Sequence, residues 1–303
     1  MKKDIALGLK CLFLILFTEV FFSCKPSQEE SRFVKQEGVY GTIAEAVANK
    51  ADCHTLIIRN LNPDGSIKGN IQKLSSKIAE LTNLKKLFIY GLPSQIIPAY
   101  FNKLKSLEEL HIIYAVDRSQ PLKVEGLATL PELQILKLED VGLEHLPILP
   151  TSIRVLDLKN NRLTGADFNE MKPSKIESLN LAFNPIDSLP FNFSVSFKYL
   201  KSLDLEYCLL KYFPSPVFDL AQLNQLSLAS NNIAEIPEEP VQLPQLNMIN
   251  LFNCPIEKLP NTFLKTPNLK TLWLPSTVNQ SWLDTVKTQY PDIDIMVATY
   301  KGI

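Results

Sequence analysis

Apolar and polar residues along this chain recur in a fixed phase. The segments IESLNLAFNPIDSLP, LKSLDLEYCLLKYFP, LNQLSLASNNIAEIP and LNMINLFNCPIEKLP begin at Ile176, Leu200, Leu223 and Leu246, which lie 24, 23 and 23 residues apart. Apolar side chains hold the first, fourth and sixth places of each, and Asn184, Cys208, Asn231 or Cys254 holds the ninth. Alternation over places three to seven predicts a short strand, with the fourth and sixth side chains inward and the third, fifth and seventh outward. The residues that follow, such as Leu259, Pro260 and Phe263, predict an apolar return path. A period of this length marks units that stack on one another.

The same phase extends in both directions. First places fall at 53, 84, 107, 133, 153, 176, 200, 223, 246 and 269, about ten units in all. Each fits L-x-x-L-x-L, and the clearest continue into x-x-N/C-x-L. That pattern resembles the leucine-rich repeat family. The segment LEHLPILPTSIRVL, in the 20-residue step from 133 to 153, is similar to the short repeats of secreted bacterial members. The resemblance implies an α/β solenoid, a horseshoe with a concave parallel sheet and a convex side of irregular and 3-10 turns. Asn161, Asn184 and Asn231 are expected to satisfy backbone groups of adjacent turns, because a buried amide must be paired. Cys208 and Cys254 fit the same slot as small buried side chains.

Short helical caps are expected at both ends. TIAEAVA (42–48), with Thr42 as N-cap, would close the first end within a cap at 38–52. After the array at 53–279, QSWLDTVKTQ (280–289) reads as a helix stopped before Pro291. Ile293, Ile295 and Val297 then suit a final strand, which completes a cap at 280–303.

The first residues follow another pattern. Lys2, Lys3 and Lys10 precede the apolar run CLFLILF, and Phe21-Phe22-Ser23-Cys24 ends the segment. A basic start with an apolar core too short to span a bilayer predicts a secretion signal at 1–23. The residues around Cys24 resemble the lipobox of bacterial lipoproteins, which implies cleavage before Cys24 and acylation of its thiol. Residues 24–37 then serve as a flexible tether, and the outer membrane or cell surface is the expected location.

Composition removes several functions. The 31 basic and 32 acidic residues nearly cancel, which leaves no electrostatic footprint for nucleic acid. The three histidines, His54, His111 and His145, lie in different units without metal-ligand spacing. No phosphate loop or nucleophile motif occurs. Catalytic residues, metal and cofactor are therefore all expected to be none.

Recognition is expected on the concave face. Lys85 and Lys86 sit opposite Glu108 and Glu109, Lys137 opposite Asp157, and Glu139 opposite Lys159, so these ladders cancel their own charge. Farther along, Asp204 falls between Asn180 and Ser227, and Glu206 between Ala182 and Ala229. Neither carboxylate has an oppositely charged neighbour. With Phe183, Tyr207, Phe252 and Trp273 around it, this acidic hollow reads as a partner-binding surface. Phe88, Tyr90 and Tyr114 form an alternative patch. The expected partner is a protein, bound without bond chemistry by a membrane-anchored secreted lipoprotein. One competing reading is carbohydrate capture, with Trp273 stacking on sugar rings. The other is an envelope scaffold or adhesion component.

Overall fold

The structure is a computed structural model that describes residues 37–238 and 243–298. Cys24, with the signal and most of the tether, lies outside the described residues. One parallel sheet of twelve strands runs through the molecule. It begins with β1 (Val39–Tyr40), β2 (Thr55–Arg59) and β3 (Lys86–Leu92), and a two-residue strand, β4 (Ile96–Ile97), stands apart. Next come β5 (Glu109–Ala115), β6 (Lys123–Val124), β7 (Ile135–Glu139), β8 (Val155–Asp157) and β9 (Ser178–Asn180). The series ends with β10 (Ser202–Asp204), β11 (Gln225–Ser227), β12 (Met248–Asn250), β13 (Thr271–Pro275) and β14 (Asp294–Ala298). Among the described strands, only β4 and β6 lie outside the main sheet, and they pair with each other. Within the sheet, every neighbour is the next unit along the chain.

The phase of the sequence explains this order. All ten first places, from Cys53 to Leu269, are buried, as are the fourth and sixth places that line the sheet's inner face. On the convex side, 3-10 turns at Ser76–Glu80, Ala99–Lys103, Gly165–Phe168 and Ser215–Asp219 carry the chain back. A run of rings fills that layer. Phe168 lies 6.0 Å from Phe193, and Phe193 4.6 Å from Phe197, all fully buried. The helices are α1 (Ile43–Ala48), α2 (Phe193–Ser196), α3 (Asn261–Leu264) and α4 (Gln280–Gln289). Thr42 Oγ1 accepts the Glu45 N–H at the start of α1, and Asn279 Oδ1 accepts the Trp282 N–H at the start of α4. Both caps satisfy helix donors that would otherwise lack a partner.

The ninth-place amides join successive units. Asn161 donates to the carbonyls of Leu138 and Leu158, and accepts from the Leu143 N–H. Asn184 donates to Leu158, Leu181 and Ala182 and accepts from Leu163; Asn231 donates to Leu205 and Leu228 and accepts from Leu210. Cys208 and Cys254 each donate one bond, to the carbonyl of Leu181 or Leu228 in the preceding unit.

In most units strand length tracks the fifth place. Where it is Asp157, Asn180, Asp204 or Asn250, the side chain accepts the N–H two residues on, at 2.9–3.1 Å. This is the Asx turn, a side-chain substitute for a backbone bond. Strands β8, β9, β10 and β12 stop after three residues, and so does β11, which ends at Ser227 without such a bond. Where the fifth place is Phe88, His111, Lys137 or Trp273, pairing runs on to Leu92, Ala115, Glu139 or Pro275. The first half of the concave face is therefore broad, and most of the second half is narrow.

Candidate functional site

The register places Asp204 opposite Asn180 on one side and Ser227 on the other. On the broad half, Lys85 and Glu108 meet at 2.9 Å, as do Lys86 and Glu109, while Lys159 lies 3.9 Å from Glu139. Such exposed pairs are each worth roughly 0.2–1 kcal/mol, and they neutralise the face locally. In the alternative patch, Arg59 covers the Tyr90 ring at 4.9 Å and Arg118 the Tyr114 ring at 4.8 Å. Phe88 meets His111 edge-on at 4.8 Å.

The hollow carries less charge than its residues suggest. Asp204 Oδ1 is engaged by the Glu206 N–H at 2.9 Å, so the carboxylate also terminates a strand. Burial, with Asp157 nearby, pushes the Asp204 carboxyl up to about 6. Burial and the charge of Asp204 push Glu206 up to about 8, against the pull of Lys159. At neutral pH Glu206 therefore mostly keeps its proton, and the pair presents one negative charge rather than two. Among the described residues, no group of three His, Cys, Asp or Glu is gathered to hold a metal.

Phe183 and Tyr207 come together, though not by strand alternation. Both occupy the eighth place, just past the strand, with φ of 57° and 51°. Gly91, Tyr114, Asp140, Asn160, Ser230 and Asn253 take the same left-handed conformation at the eighth place of their units. Gly, Asn and Asp enter this region at little cost, whereas a bulky side chain there is an outlier. The two rings stack at 4.8 Å with planes 14° apart, and remain 39% and 44% exposed. Lys159 lies 5.4 Å from the Phe183 ring. Beside this shelf, Ala182 and Ala229 are buried and form the low flanks of Glu206.

The other two aromatics stand apart. Phe252 lies in the seventh-place row two strands beyond Glu206. Trp273 lies in the fifth-place row three strands beyond Asp204, between Asn250 and Met296. At about 4.8 Å per strand this separates Trp273 from Asp204 by roughly 14 Å. The rim is thus an elongated path rather than a ring around one hollow. Strict alternation does not reveal the left-handed eighth-place row, yet the run Asp140, Asn160, Phe183, Tyr207, Ser230, Asn253 shows two adjacent rings flanked by Asx and Ser residues at one phase.

No known protein family profile matches the chain. It is 30% identical over 175 residues to human "Volume-regulated anion channel subunit LRRC8D", covering 55% of this chain and 20% of that one. The chain thus spans about a fifth of that relative's length. Among solved structures it is similar to TLR13, from "Crystal structure of TLR13-ssRNA13 complex", with a TM-score of 0.59 and 22% identity over 84% of this chain and 45% of that one. It is also similar to InlP of Listeria monocytogenes, with a TM-score of 0.53 and 19% identity over 73% of this chain and 62% of that one. The phased repeat, the parallel sheet with its ninth-place amides and these likenesses agree: the chain is a leucine-rich repeat protein.

Proposed function

We propose that this protein recognises a protein partner on the concave face of β9–β13, centred on the Phe183–Tyr207 shelf. The fold supports a protein-binding module in general. The observation that carries the specific reading is the shelf itself. Two bulky residues in left-handed backbone cost about 1–2 kcal/mol each. Their stacking returns about 0.5–1.5 kcal/mol, so stability alone does not account for them. Asn160 and Asn253 fill the equivalent places without that strain. Exposed rings beside a shallow, half-neutralised acidic dip are what a recognition hot spot requires. Asn180, Asp204, Glu206, Phe252 and Trp273 supply the surrounding contact surface, and recognition proceeds without bond chemistry.

Changing Phe183 and Tyr207 together to Asn should leave stability equal or raised by about 1–2 kcal/mol. The same change should weaken partner capture by about thirtyfold or more, as expected for hot-spot rings. Crosslinking followed by quantitative comparison of captured proteins, with urea melts run in parallel, reads both effects. Equal capture by wild type and variant would remove the shelf from the interface.

The same proposal places the protein on a membrane surface through acyl chains on Cys24, since apolar chains hold soluble domains to a bilayer at about 0.8 kcal/mol per buried CH₂. Among the described residues, no helix is long and apolar enough to cross a membrane. Cys24→Ser should move the protein from the membrane fraction to the soluble one. Persistence in the membrane fraction would rule out this anchor.

A further inference from the structure

The eighth-place row drops in height after Tyr207. Ser230, Asn253 and Ser276 follow, and an open groove of about 790 Å³ runs along the C-terminal ends of β10–β13. Its floor is the ninth-place row. Phe252 forms the wall toward the concave face, and Lys211 and Asn232 stand on the outer side. From the Tyr207 unit to the Ser276 unit is three strand steps, roughly 14 Å. The volume lies within the range of about 300–1,000 Å³ usual for small-ligand sites.

The chemistry of the lining narrows the ligand. Three backbone donors along the groove are already used: Ser230 N–H bonds Phe252 O, Asn232 N–H bonds Leu210 O, and Cys254 N–H bonds Leu251 O. An extended peptide adding to a sheet needs unpaired backbone groups, and the groove does not offer that mode of capture at these residues. What it offers instead are short side-chain amides and hydroxyls. Asn253 Nδ2 donates to Ser230 Oγ at 3.3 Å and leaves its carbonyl oxygen available. The side chains of Asn232 and Ser276 have no hydrogen-bond partner among the described residues. Among the described residues no carboxylate lines the groove; Phe252 contributes a ring to its wall, and Leu209, Pro255 and Pro275 add apolar surface. Polar groups that fix orientation, together with an aromatic wall, suit a ligand with many hydroxyls on one side and C–H faces on the other.

We propose that this rim groove binds an oligosaccharide, at a site centred apart from the Phe183–Tyr207 shelf and sharing only Phe252 with the protein-contact surface. The ring of Phe252 takes the C–H face of a sugar unit. The side chains of Asn232, Asn253 and Ser276 take its hydroxyls.

The full chain is tested on an array of immobilised tri- to hexasaccharides and, in parallel, on an array of random dodecapeptides. Binding to at least one oligosaccharide is expected. Ser276→Trp, which fills the groove, and Asn232→Ala, which removes an exposed amide, should each reduce it by roughly tenfold or more. Lys85→Ala, on the distant first half of the concave face, should leave it unchanged. Thermal melts check each variant, and Asn232→Ala alone decides the matter if Ser276→Trp lowers the melting temperature. Binding to peptides only, binding to neither array, sugar binding that survives Asn232→Ala, or loss on Lys85→Ala would overturn the assignment.

Discussion

Replacing Phe193 with Ala is expected to lower the unfolding free energy by about 3–5 kcal/mol, among the larger losses open to a single change in this chain. Phe193 is fully buried at the start of α2, 4.6 Å from Phe197 and 6.0 Å from Phe168 in the unit before. Those neighbours are fixed by separate turns, so they can collapse only partly into the space left. The cost is then transfer free energy plus that of the remaining cavity. Phe193→Leu, which keeps most of the volume, should lose less than half as much. Urea denaturation followed by circular dichroism measures both. A loss below about 1 kcal/mol for the Ala variant would show that the ring run is not a structural spine.

The second large effect concerns polar pairing. Asn184→Ala should cost about 3 kcal/mol, because several buried backbone groups lose their partners at once. The amide serves the carbonyls of Leu158, Leu181 and Ala182 and the N–H of Leu163. The chain itself supplies the control. Cys208, at the same place one unit later, donates a single bond, at 3.5 Å to the Leu181 carbonyl of the preceding unit. Asn184→Cys should therefore retain the link between units and lose only about half as much stability. The same urea titrations decide it. If Cys and Ala prove equal, the inter-unit bond contributes nothing measurable.

Much of this architecture is legible in the sequence because it depends on burial at a fixed phase. Ten first places are assigned from periodicity, and all ten are buried in the structure. The position of Asp204 between Asn180 and Ser227 follows from the same count, as does the closing strand around Ile295. The cap at Thr42 is local chemistry, which sequence displays well. The candidate surface is less legible. Strict alternation ends at the seventh place, and the residue after it turns left-handed. Phe183 and Tyr207 therefore approach each other through a turn, not a pleat.

Charge is also hidden from a residue count. Glu206 reads as an anion in the sequence, but burial beside Asp204 holds its proton to about pH 8. The rim groove leaves no motif at all. It arises from the small size of Ser230 and Ser276 at strand ends, and only stacking brings those ends into line. Asp157, Asn180, Asp204 and Asn250 were visible as polar residues on the concave face. Their role in ending strands appears only once their oxygens are seen on the backbone two residues away.

In four units those side chains tie the end of a strand to a single residue. A duplicated unit would carry its own breadth with it, whatever its new neighbours. The array can therefore drift from a wide ribbon to a narrow one by exchanges at the fifth place, while the leucines that hold it together stay as they are. Selection on the ligand and selection on the fold act on different letters of the same short word.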